Sequence, residues 1–177
     1  MRTLTVTSAS TGHSALGLDG WLSDEGHIYP LKVQYEDTDA GGVVYHANYL
    51  AFAERARSAW FSLIGIDQNQ FLQGGMAFVV AALEVRYHRP ARLGQELRVV
   101  SQLSRMTGVR AIMDQNITDA HDHLLTHIHV QIVQASLGGR PCRFDPDVKT
   151  KILATMPPQN HEITVSAKLA LSHKRGH

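Results

Sequence analysis

Residues 33–57, VQYEDTDAGGVVYHANYLAFAERAR, impose the tightest constraint on how this chain can fold. A strand-like run ends in a cluster of carboxylates, two glycines follow, and a helical pattern begins within a few residues. Ile28, Leu31, Val33 and Tyr35 alternate well enough to predict a strand over 27–35, with Pro30 placing its beginning at a sheet edge. Gly41-Gly42 opens backbone angles closed to other residues, so the chain can fold back over Asp39. From about Asn48 to Ile64, Ala53, Ala56, Trp60 and Ile64 recur at steps of three and four, while Glu54, Arg55 and Arg57 occupy the remaining surface. That pattern is an amphipathic helix, with Asn48 as its cap and Gly65 as its stop. The first N–H groups of a helix lack intrahelical acceptors and carry partial positive charge, so they stabilise an oxygen that gains negative charge. An acid set just before them suits attack on a carbonyl. Asp39 is therefore the candidate reactive carboxylate. A lone D-x-D would be read otherwise, with Asp37 and Asp39 capping the turn, but Tyr45, His46 and the helix start favour chemistry.

After the helix, residues 67–73 predict a short helical turn closed by Gly74-Gly75, and four strands follow, over 77–88, 95–105, 108–118 and 124–136. The last alternates cleanly, with Leu124, Thr126, Ile128, Val130 and Ile132 on one face, and a final helix is expected over 145–153. One strand, a long helix and a run of antiparallel strands make an α+β domain, the helix lying against a curved sheet. A sheet covered on one side by one helix invites a second copy, so a homo-oligomer is expected. Residues 1–24 are expected to be a flexible extension and 157–177 a tail, leaving 25–156 as the domain.

Composition removes several classes. A net charge of +1 across 177 residues, with no basic run interleaved with aromatics, gives no electrostatic case for nucleic acid. Met76–Leu83 is the longest apolar run, too short for a transmembrane helix, and the N-terminus lacks the apolar core of a signal peptide. Cys142 is the only cysteine; a small buried residue in a reducing compartment, with a cytoplasmic location, is the expectation. His121-x-His123 and His127-x-His129 have metal-like spacing, but the first pair falls in a turn and the second on the polar side of a strand, so no metal is expected.

The segment YEDTDAGGVVYHANYLAFAERAR resembles the signature of the hotdog-fold thioesterases of the 4-hydroxybenzoyl-CoA thioesterase superfamily, nearest to the acyl-CoA thioesterases encoded with the Tol–Pal envelope system. Fainter echoes run through VRYHRPARLGQEL and GGRPCRFDPDV. The resemblance implies a curved antiparallel sheet wrapped around a long central helix. It implies hydrolysis of acyl-CoA, or of acyl-carrier-protein thioesters, without cofactor or metal. It also implies a dimer of dimers with each site at a subunit interface. Asp39 matches the catalytic carboxylate, Tyr35 and His46 match the flanking tyrosine and histidine, and the His46 backbone N–H matches the oxyanion donor. Gly42, Val43 and Tyr45 are placed at the substrate. Arg89 and Arg92, with Arg105 and Arg110, are candidates for the coenzyme A phosphates.

A thioester needs neither metal nor serine triad, because sulfur donates weakly into its carbonyl and thiolate leaves readily. Asp39 can add directly, giving a mixed anhydride that water opens, or act as base on water. Phe52, Trp60, Phe71 and Phe78 are the apolar lining available to an acyl group, and Glu54 reads as half of a surface charge pair. Two rivals are a hotdog enoyl-thioester hydratase or dehydratase using Asp39 with His46, and a non-enzymatic acyl-thioester binding scaffold.

Overall fold

The computed structural model describes residues 17–155. The expected tail after residue 156 and the first sixteen residues of the expected extension lie outside that range. In chain order the elements are β1 (Trp21–Ser23), β2 (Gly26–Lys32), a single 3-10 turn (Tyr35–Asp37), α1 (Asn48–Leu63), α2 (Gln68–Gln73), β3 (Met76–Tyr87), β4 (Glu96–Met106), β5 (Ala111–Asp119), β6 (Leu124–Ser136), β7 (Pro141–Cys142) and α3 (Pro146–Leu153). The strands form one antiparallel sheet in the order β1-β2-β4-β5-β6-β3, with β7 also paired to β6.

The sheet curves around α1. Register slips by one residue in β3 between Val80 and Ala82, in β4 between Leu103 and Arg105, and in β6 at Leu125, opposite Ile117 and Thr118 of β5. Each extra residue bends its strand and raises the local twist. Against the concave face α1 sets Tyr49, Phe52, Ala53, Ala56 and Trp60, all buried, at the spacing that keeps one side of a helix in contact. Ala53 and Ala56 have no exposed surface at all, so the helix backbone rests close on the strands. Phe52 is equally sealed, and burying a side chain of that size is worth about 1.5–3 kcal/mol.

Several expectations need correction. The first strand ends at Lys32 rather than Tyr35, because the Asp37 carboxylate takes the Gln34 N–H at 2.7 Å and coils the chain into the 3-10 turn. Residues 21–23 are not loose extension: they pair with β2 as Trp21↔Ile28 through Ser23↔Gly26. Pro30 does sit on an edge, since pairing with β1 reaches only Ile28 and, among the described residues, leaves the rest of β2 unpaired on that side. Asn48 does not cap α1. The cap position is Ala47, and the Asn48 side chain donates instead to the Asp37 carbonyl at 2.9 Å. Gly65 ends the helix as expected, with φ +72°.

Arg57, placed on the surface by its pattern, is buried. Its guanidinium donates to Gln115 Oε1 and to Glu54, while Gln115 Nε2 donates to the Ala53 carbonyl and to Ser101 Oγ. The charge is tolerated because its donors are met inside the core. Cys142 is only half-buried, since the two-residue strand β7 covers little.

Candidate functional site

The carboxylate cluster divides into two parts with different work. Asp37 is buried and structural. Its Oδ2 accepts from Gln34 N, its carbonyl accepts from Tyr45 N at 2.9 Å and from Asn48 Nδ2, and Arg55 stands 3.8 Å from Oδ1. These bonds tie the strand end to the start of α1. Asp39 lies at the tip of a small turn closed by a Thr38↔Val44 bridge and by Asp39 N to Val43 O at 2.9 Å. Gly42, at φ +72°, returns its N–H to the Asp39 carbonyl at 3.0 Å, and Gly41 N donates to Asp39 Oδ1 at 2.8 Å. A Cβ on Gly41 would stand 3.1 Å from that same Oδ1, so a side chain there would crowd the carboxylate. Asp39 itself is exposed to solvent.

The turn is fastened to the segment after β3. Val44 N donates to the Ala91 carbonyl at 2.9 Å, Val43 bridges Arg92, and Ala91 N donates to the Tyr49 hydroxyl at 2.8 Å. Burial of Tyr49 pushes its phenol above the usual tyrosine range, so it stays protonated. Behind the turn lies a depression of about 270 Å³ lined by Val44, His46, Tyr49, Tyr87, His88, Arg89 and Pro90. The His46 ring packs on Tyr45 and Tyr87, at centroid distances of 4.4 and 6.4 Å. Among the described residues nothing accepts the backbone N–H of His46, and its ring makes no hydrogen bond to Asp39.

The candidates thus separate. Val43, Tyr45, His46, Arg89 and Arg92 gather around the turn that Asp39 and Gly42 form. Tyr35 is 83 % exposed on the 3-10 turn and lines no part of the depression, nor does Asp39. Arg105 and Arg110 belong to the other end of the sheet. Leu125 of β6 bonds to His88 near the depression, whereas Ala111 pairs with Ile132, about 23 Å further along β6 at the rise of an extended strand. Phe52 and Trp60 are sealed in the core, while Phe71 and Phe78 are half-buried against each other at 5.1 Å. The histidines are accounted for locally. His123 meets Asp119 in the β5–β6 turn, and on the outer sheet face His127 meets Asn116 at 2.8 Å while His129 meets Asp114 at 2.7 Å. Glu54 is exposed and ion-paired, as expected, but with the buried Arg57. Tyr87 and Tyr49 escaped sequence reasoning: Tyr87 is far from the signature in sequence, and Tyr49, inside it, lies on a helix face that looks purely structural.

An antiparallel sheet cradling one long helix, with an acid on a glycine turn before that helix, defines a hotdog thioesterase-like protein. The profile of the thioesterase-like superfamily matches residues 33–152, and the chain belongs to that superfamily. It is 41 % identical over 105 residues to the acyl-CoA thioester hydrolase YbgC of Escherichia coli, covering 59 % of this chain and 78 % of that one. It is 37 % identical over 130 residues to the acyl-CoA thioesterase YbgC of Haemophilus influenzae, covering 72 % and 95 %. Among solved structures, a probable thioesterase from Bartonella henselae superposes with a TM-score of 0.65 at 33 % identity, over 68 % of this chain and 99 % of that one.

Proposed function

We propose that the chain hydrolyses acyl-CoA thioesters to free acid and coenzyme A, with Asp39 as the reacting carboxylate and the His46 backbone N–H as oxyanion donor. The class is thioester hydrolase, as superfamily and YbgC relatives agree. The observation that carries the finer reading is a solvent-facing Asp39 on a bridged turn, followed seven residues on by a His46 N–H that is unclaimed among the described residues. In the reaction, carboxylate or Asp39-activated water adds to the thioester carbon, and the carbonyl oxygen takes the negative charge. Collapse breaks the C–S bond and releases thiolate, which takes up a proton. If the carboxylate is the nucleophile, water then opens the mixed anhydride; if it is the base, the acid leaves directly. The His46 N–H, just before the Ala47 cap, has no internal acceptor among the described residues and so is available to that oxyanion.

Tyr35, Tyr45, Gly42 and Val43 are proposed to border the acyl end, and Arg89 and Arg92 to meet the phosphates of coenzyme A. The long edge of β3, free among the described residues and with Val79, Val80, Leu83 and Tyr87 exposed, supports pairing with a second copy, and so a dimer or a dimer of dimers that walls the open side of the site. Acyl carrier protein as an alternative thiol carrier, a Tol–Pal setting and a cytoplasmic location belong to the same proposal. No helix among the described residues is long and apolar enough to cross a membrane. Thiol release measured across a panel of aliphatic and aromatic acyl-CoAs, for wild type and Asp39→Asn, is the test. Turnover should fall by at least about 10²-fold in the variant, the scale of a positioned acid or base. Equal turnover would discard Asp39.

A further inference from the structure

The geometry points to Tyr87 as a positioning residue that holds the start of α1 in a donor-presenting conformation. This rests on the thioesterase reading of the site. In a regular helix the His46 carbonyl would accept from the N–H four residues on, that of Leu50. The Leu50 N–H instead turns to Ala47, at 3.0 Å, and the Ala51 N–H also reaches Ala47, at 3.4 Å. The vacated His46 carbonyl is taken from outside the helix: Tyr87, the last residue of β3, donates its hydroxyl to it at 3.0 Å. Among the described residues no backbone N–H claims that carbonyl.

Two aromatic contacts fix the donor. The Tyr87 ring stands edge-on to His46, with planes at 88°, and packs against Tyr49 at 5.7 Å, while Tyr49 is itself anchored by the Ala91 N–H. The hydroxyl therefore reaches the carbonyl from a braced ring rather than from a mobile side chain. Two consequences follow for the chemistry. Holding the His46 carbonyl outside the helix ladder fixes the His46–Ala47 peptide, which adjoins the Tyr45–His46 peptide that carries the proposed donor and is itself held by Asn48 N donating to the Tyr45 carbonyl at 2.8 Å. Hydrogen bonding at that carbonyl also polarises the peptide joining His46 to Ala47, strengthening the Ala47 N–H as a second donor at the same helix start. Without the hydroxyl, the carbonyl can rotate to recapture the Leu50 N–H, winding α1 back by one residue and turning the donors away.

Tyr87→Phe keeps the ring and its packing and removes only the oxygen. Expected is a kcat lower by about five- to tenfold, less than the roughly 10²–10³ of deleting a direct donor. KM and melting temperature should be unchanged. Backbone amide NMR should show the Ala47 and Leu50 signals shifting in the variant. Tyr87→Leu, which also removes the ring, should lose at least as much kcat. A Tyr87→Phe enzyme with wild-type kcat, or one changed only in KM, would overturn the inference. A wild-type protein that releases no thiol from any acyl-CoA would instead overturn the proposed function.

Discussion

The two edges of the sheet are built on opposite plans. At one, β1 contributes three residues, paired only to the first part of β2, and Pro30 removes a donor from the strand beyond it. At the other, β3 runs twelve residues with its outer ladder unpaired among the described residues and apolar side chains exposed, Val80 at 37 % and Leu83 at 46 %. Short strands and proline are how a sheet discourages a neighbour; a long apolar edge solicits one. The contrast ties the proposed assembly to the proposed chemistry, because the soliciting edge is the one that ends in Tyr87 beside His46.

The largest effect should come from charging that edge. Val80→Lys with Leu83→Lys should make the proposed oligomer monomeric by light scattering and cut thiol release by more than about tenfold, since like charges at a closed contact are strongly disfavoured. Leu22→Lys, the equivalent insult on β1, should leave mass and activity unchanged. Identical behaviour of the two edges would break the comparison. Next comes the packing beneath β3. Phe61 stacks on Phe78 at 4.6 Å, and Phe61→Ala should cost about 3–5 kcal/mol in denaturant unfolding.

The smallest effect is expected under the protected edge and depends on pH. His27 of β2 is buried, with Nε2 2.6 Å from the Asp19 carbonyl and Nδ1 without a partner. A carbonyl only accepts, so Nε2 carries a proton, and burial favours leaving Nδ1 without one. Burial depresses its pKa below the usual value of 6.5, although the Asp19 carbonyl and carboxylate oppose this. Because the folded pKa is the lower one, the stabilisation is full above about 6.5 and is lost as pH falls towards the folded value. His27→Gln should therefore flatten the fall in melting temperature between about pH 7 and about pH 5.5. An unchanged slope would show that other groups drive it.

Much of this was legible beforehand. The step pattern of α1 and the alternation of β6 placed those elements to within a residue or two, because each buries one continuous face. β1 and β7 were not legible, being too short to carry a pattern and held by partners far along the chain. Arg57 was misplaced for a related reason: Gln115, on another strand, supplies the acceptor that lets a guanidinium go inside. The carboxylate turn was visible in the Gly41-Gly42 pair. The division of labour between Asp37 and Asp39 was not, since it depends on which of them the Tyr45 and Asn48 donors reach.

Ala53 and Ala56 make α1 a lever. Sixteen residues span about 24 Å as a stiff rod, and its midsection lies on the strands with no slack beneath two methyl groups. A bulkier side chain at either place acts as a shim, lifting the rod and swinging its His46 end through a larger arc. Reactivity in this protein can thus be retuned from a position that no substrate ever touches.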